Sequence, residues 1–191
     1  MAAGYGFRPV QRGGAGYQTA GFIELPIDGD LLGTPIFNGD SVQYNVNTTA
    51  VTAGIAVNST PLTTADTLGV LIGAKWVDAT GTPRWGQRYD GVSTNTEAMA
   101  FVAPAEGTIF KIQATSIAGG WDNKYIGYLN LITAGAGDAT TGNSGYTIDL
   151  ATANGANAGL VVVGAFDPSD TSLTPEVLVR FIPAAIQQQL G

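Results

Sequence analysis

The chain has 191 residues, enough for one domain around one core, and a formal charge of −7 from 15 acidic and 8 basic residues. It contains neither histidine nor cysteine. That removes the commonest general base, thiolate nucleophiles, disulfides and the usual zinc ligands. Charged residues make up only 12% of the chain, against roughly a quarter in ordinary soluble domains. The polar surface must therefore come from Thr, Asn, Ser and Gln, as suits a protein assembled against partners or a β protein with polar loops.

The first 22 residues differ from the rest. They hold six glycines, Arg8 and Arg12, and no acid, whereas the remainder carries six basic against 15 acidic groups. Ordering so much glycine is costly, and the segment alone buries little to offset it. Residues 1–22 therefore read as an extended arm that needs a partner surface, and residues 23–191 as a single β domain. In that arm Tyr5, Phe7 and Tyr17 are the aromatic anchors, Arg8 and Arg12 can fork onto carboxylates, and Pro9 extends the chain behind Arg8. The alternative is a terminus that orders on its own domain as an edge strand. A charged start and apolar run of a secretory signal are missing, and no apolar stretch approaches the roughly 18 residues that span a bilayer. The expectation is a soluble, unprocessed protein made in the cytoplasm, with no membrane contact. The acidic body disfavours nucleic acid, because phosphate affinity needs Lys and Arg.

Further along, residues 19–25 predict a strand. The longest interval free of Gly and Pro is 40–53, where Val42, Tyr44 and Val46 alternate with polar neighbours at period two. Between them "PIDGDLLG" begins like a calcium loop but puts Leu32 at a ligand position, and Asp28 and Asp30 suit a turn. The stretch 53–67 reads as a long loop and 68–77 as a strand. "PRWGQRYDGV" at 83–92 reads as an edge strand whose aromatics enter the core and whose arginines pair with acids such as Asp90; the rival reading is an aromatic and arginine surface that stacks sugars or bases. Strands at 97–103 and 108–114 flank "APAEG", which predicts a tight hairpin with a left-handed Gly107. Residues 126–132 and 146–150 read as strands around a Gly-rich loop at 133–145. "LVVV" at 160–163 suits a strand buried on both faces, "FDPSD" holds Asp167 and Asp170 in turn chemistry, and 177–182 alternates. Only 183–190 invites a helix, two turns at most.

About nine short strands separated by turn residues predict an all-β fold, an antiparallel sandwich or barrel with an extended N-terminal arm. Catalysis would have to rest on carboxylate pairs, Asp28 with Asp30 or Asp167 with Asp170, both in turn contexts. No phosphate loop or nucleophile elbow is present, so the reading is a protein with no enzymatic activity, no cofactor and no metal site.

The segments "YGFRPV" at 5–10, "GVLIGAKWVDATGTP" at 69–83, "QRYDGV" at 87–92 and "AFVAPAEGTIFKIQA" at 100–114 carry a resemblance. The chain resembles the tailed-bacteriophage virion proteins of the capsid decoration (cement) or head-stabilising type, over most of its length. The resemblance implies a β-rich module on the outer surface of a phage head that bridges major capsid protein subunits, assembles with copies of itself, a trimer being favoured, and carries no catalytic residues. The arm residues Tyr5, Phe7, Arg8, Pro9, Arg12 and Tyr17 would then be the capsid-binding set. The other reading is a tail-fibre or adhesin-type module binding host-surface glycan through Trp76, Trp85 or Trp121.

Overall fold

The computed structural model describes residues 4–12, 21–27, 35–45, 54–57, 67–115, 117, 120–130, 132–133, 135–150 and 159–182. Thirteen strands are formed among them: β1 (Arg8–Arg12), β2 (Ile23–Pro26), β3 (Ser41–Asn45), β4 (Gly54–Val57), β5 (Gly69–Val77), β6 (Pro83–Gly86), β7 (Thr96–Pro104), β8 (Thr108–Thr115), β9 (Leu129–Asn130), β10 (Ile132–Thr133), β11 (Thr147–Asp149), β12 (Leu160–Ala165) and β13 (Glu176–Phe181). The only helical element described is a single 3₁₀ turn, Asn123–Tyr125. The fold is all-β. The expected helix at 183–190 lies outside the described residues.

The strands form two sheets. A seven-stranded sheet runs β10-β11-β8-β13-β12-β9 with β1 also on β8, and a six-stranded sheet runs β2-β7-β5-β3-β4 with β6 on the far end of β5. All pairs are antiparallel except β8 with β11, which is parallel. Period two shows directly in β13, where Val177, Val179 and Phe181 are buried while Arg180 is exposed. In β8, Phe110, Ile112 and Ala114 are buried as the alternation predicts, but Gln113 is buried too. The main core joins these strands to Val70, Ala103, Ile148, Leu160 and Val162, and a second cluster gathers Ile27, Ile36, Val42, Leu71, Ala74, Tyr89, Ala100 and Val102.

Several expectations are corrected. The "APAEG" connection is no hairpin, because β7 and β8 belong to different sheets. Gly107 does take a positive φ of 69°, but the turn carries the chain across the sandwich, tied by the Ala105 N–H donating to the Leu68 carbonyl at 3.0 Å. β12 is not buried on both faces: Leu160 and Val162 are buried while Val161 and Val163 are partly exposed, since only one side meets the core. The strand expected at 126–132 is broken into a turn and two two-residue strands. β4 falls within the expected loop 53–67 and pairs with β3.

Part of the segment 1–22 is built into the domain. β1 pairs antiparallel with β8, Arg8 opposite Lys111 and Arg12 opposite Thr108, so the start of the supposed arm is a strand of the seven-stranded sheet. The edge-strand alternative describes Arg8–Arg12, which residues 4–7 lead into. Residues 13–20 lie outside the described residues.

Candidate functional site

The six aromatics that matter most fall into two clusters of three. In the first, Phe7 lies 5.9 Å from Phe110 and 5.2 Å from Phe181, and those two lie 5.5 Å apart, centroid to centroid. Phe7 is 0% exposed. It cannot serve as an anchor on another molecule, because its ring is already the centre of this protein's own core. Around it the backbone is tied down over long sequence distances. The Gly6 N–H donates to the Tyr146 carbonyl at 3.2 Å, the Phe7 N–H to the Gly39 carbonyl at 3.0 Å, and the Ser144 N–H to the Asn38 carbonyl at 2.9 Å.

The neighbours of Phe7 are used in the same way. The Tyr5 hydroxyl donates to Glu176 Oε1 at 2.7 Å, and Lys111 Nζ pairs with Glu176 Oε2 at 2.8 Å. Burial, with the Glu176 carboxylate next, holds the Tyr5 hydroxyl far above its ordinary pKa. The Arg8 guanidinium donates to the side-chain oxygens of Asn38 and Asn143, and burial lowers its pKa. Pro9 sits in β1 opposite Phe110, and Arg12 opposite Thr108. Tyr17 lies outside the described residues. Of the predicted capsid-binding set, Tyr5, Phe7 and Arg8 therefore hold the fold together.

The second cluster is on the surface. Phe101 stacks on Trp85 at 5.6 Å with 15° between the planes and meets Phe22 edge-on at 5.2 Å. Trp85 is 69% exposed and Phe22 57%. Strand alternation explains the placement: Ala100 and Val102 turn into the Tyr89 cluster, so Phe101 between them turns to the opposite face. In the register of the sheet, Glu24 lies opposite Phe101, Phe101 opposite Gly73, and Lys75 opposite Trp85. Gly73 offers no side chain between the two rings, which lets Phe101 reach diagonally to Trp85. A Cβ there would lie 3.2 Å from the Gly86 carbonyl oxygen. Lys75 Nζ sits 5.7 Å from the Trp85 ring and 5.9 Å from the Phe101 ring and is paired with Glu24.

This row was only partly visible beforehand. Within 83–92 the sequence groups Trp85, Gln87 and Tyr89 on one face, but β6 ends at Gly86 and the chain bends at Gln87 and Arg88. After the bend Tyr89 is buried at 1% exposure, while Trp85 stays outside. Arg84 pairs with Asp78 at 2.8 Å rather than with Asp90, and Arg88 lies 5.9 Å from the Phe37 ring. Trp76 packs edge-on against Tyr89, and Trp121 donates its indole N–H to Asn123.

The aspartates close turns. Asp167 accepts from the Ser169 N–H and hydroxyl at 2.8 and 2.7 Å, and Asp170 from the Ser172 N–H at 2.8 Å. Asp28 and Asp30 lie outside the described residues, as do residues 46–53 and 58–66. Asp40 is the exception, buried at 4% exposure, accepting from the Phe37 N–H at 2.8 Å and from Ser144; burial raises its pKa. No described helix is long and apolar enough to cross a membrane. No family model, curated protein or solved structure matches the chain.

Chemically, the Phe22, Phe101 and Trp85 row offers a stiff aromatic surface rimmed by one ion pair. Rings of this kind lose little side-chain entropy on binding and can exclude water around a partner's anchor. It is a surface for holding something.

Proposed function

We propose that the protein is a virion structural protein of the capsid decoration type, attached to the outer surface of a phage head and stabilising it by bridging major capsid protein subunits. The observation that carries this reading is the exposed Phe22, Phe101 and Trp85 row, a surface that a folded β module leaves uncovered. The resemblance to decoration proteins supplies the partner. The low charge content and the use of the aspartates in turns fit a protein that binds rather than reacts. The capsid-facing surface is moved from the N-terminal segment to this row. A ligand that binds only the assembled shell stabilises it by mass action, and many copies on one lattice, self-associated at its symmetry axes, multiply a modest contact.

Shells purified without the protein provide the test. Wild-type protein should co-sediment with them, and the double variant Phe22→Ser, Trp85→Ala should bind roughly 30-fold more weakly, the equivalent of about 2 kcal/mol for a central aromatic anchor. Gold-labelled antibody should decorate heads in micrographs of virions. Labelling confined to tails, or shells that fail to bind the wild-type protein, would overturn the reading.

A further inference from the structure

A cleft of about 310 Å³ opens between the bend after β6 and the turn at 138–142, lined by Trp76, Gly86, Arg88, Asp90 and Thr140 among others. It is separate from the row of Phe22, Phe101 and Trp85, and nothing in the proposed role uses it. Each of its chemical groups is positioned from behind. Trp76 is held edge-on by buried Tyr89 at 5.7 Å and 84°. Gly86 lies close against that indole, where a Cβ would come within 3.2 Å of Cη2. Arg88 rests 5.9 Å from Phe37 and has no carboxylate partner among the described residues. Asp90 Oδ1 accepts from Asn95 Nδ2 at 2.6 Å and from the Val92 N–H at 3.2 Å. Asp138, through Thr140 and Thr141, fixes the opposite wall.

We infer that this cleft binds a neutral hexopyranose, a single sugar unit at the end of a glycan. The indole offers an apolar plane for the C–H face of the ring. The guanidinium supplies forked donors and the carboxylate an acceptor, the pair that vicinal hydroxyls require. One cation and one anion leave the cleft without net charge, and the acidic body disfavours an anionic sugar at longer range. The volume is at the low end of ligand pockets, which suits one ring rather than a chain.

The experiment titrates the full chain with the methyl glycosides of glucose, galactose and mannose, and with glucuronic acid, following ligand saturation transfer and the Trp76 indole N–H by NMR. At least one neutral glycoside should saturate with a dissociation constant on the order of 1 mM, tighter than glucuronic acid. Trp76→Ala and Arg88→Met should each weaken it at least about tenfold, and Trp85→Ala should leave it unchanged. Because Trp76 also packs on Tyr89, Arg88→Met decides the matter if Trp76→Ala does not fold. No saturable response to any neutral glycoside, preference for the acid, or loss of binding in Trp85→Ala would overturn the inference. The readout needs no capsid, so its failure and that of the proposed function are separable.

Discussion

Two trios of aromatic rings, nearly the same in spacing, do opposite work in this molecule. Phe7, Phe110 and Phe181 lie at 5.2–5.9 Å and are 0–3% exposed, whereas Phe22, Phe101 and Trp85 lie at 5.2–5.6 Å with two of the three rings more than half exposed. Ring chemistry does not separate them; sheet topology does. The first trio joins the residue before β1 to β8 and β13 within the main core, while the second lies on the face of the six-stranded sheet turned away from its own buried cluster. An aromatic in the first trio stabilises the fold, and one in the second is free to stabilise a complex.

The sharpest way to break this contrast is to remove residues 1–12. Cooperative unfolding should be lost, read as a missing denaturant transition, because β8 loses a strand, the core loses Phe7 and the two backbone ties of Gly6 and Phe7 go with them. A truncated protein that unfolds like the full chain would return the segment to the status of an arm. A milder probe of the same region is Tyr5→Phe, which leaves the ring and deletes the hydroxyl bonded to Glu176. Unfolding should be easier by about 1.5–3 kcal/mol, the range for a hydrogen bond to a charged group.

Acid should weaken the molecule through its turns. The Thr80 hydroxyl, with Arg84 next, holds Asp78 well below the usual carboxylate range; the Lys124 N–H lowers Asp122, the Thr140 N–H lowers Asp138 and the Ser169 hydroxyl lowers Asp167. Each of these contributions is present above the ordinary carboxylate value near pH 4 and is lost as pH falls through the depressed folded value. Asp40, raised by burial, acts the other way: its contribution is present below the ordinary value and lost as pH rises through the folded one. Four against one predicts that stability falls on acidification below about pH 4, with a shallower slope in Asp78→Asn, as thermal melts across pH would show.

The smallest effect concerns a strain site near the aromatic row. Glu97 is the one described non-glycine residue with a positive φ, 52°, where β7 carries an extra residue opposite β5. Glu97→Gly should raise stability by about 0.5–1 kcal/mol, the left-handed penalty relieved less the added chain entropy. A loss would mean that the Glu97 side chain makes a contact outweighing the strain.

The sequence was legible where burial repeats along one strand. Phe110, Ile112 and Ala114, and Val177, Val179 and Phe181, show their buried face in their spacing, because a register slip would expose all three together. It was misleading where the outcome depends on chain far away. The glycines of residues 4–6 signalled entropy cost, yet the Gly6 N–H is held by Tyr146 and the next N–H, that of Phe7, by Gly39, partners that no local pattern reveals. Trp85 and Tyr89 share a face only if the strand continues through Gln87, and it does not. "APAEG" has the residues of a tight turn whether the next strand pairs with the last or crosses to the other sheet. The candidate row depends on Phe101 and Phe22, each an unremarkable residue between others until three strands bring them beside Trp85.

The division of labour between the two trios is tested most directly by measuring the unfolding free energies of Phe7→Ala and Trp85→Ala in denaturant under one set of conditions. Phe7→Ala should lose about 3–5 kcal/mol, as for a fully buried ring, and Trp85→Ala about 1 kcal/mol, the value of one exposed stacking contact. Equal losses, or a larger one for Trp85→Ala, would contradict it, because the exposed row would then belong to the core.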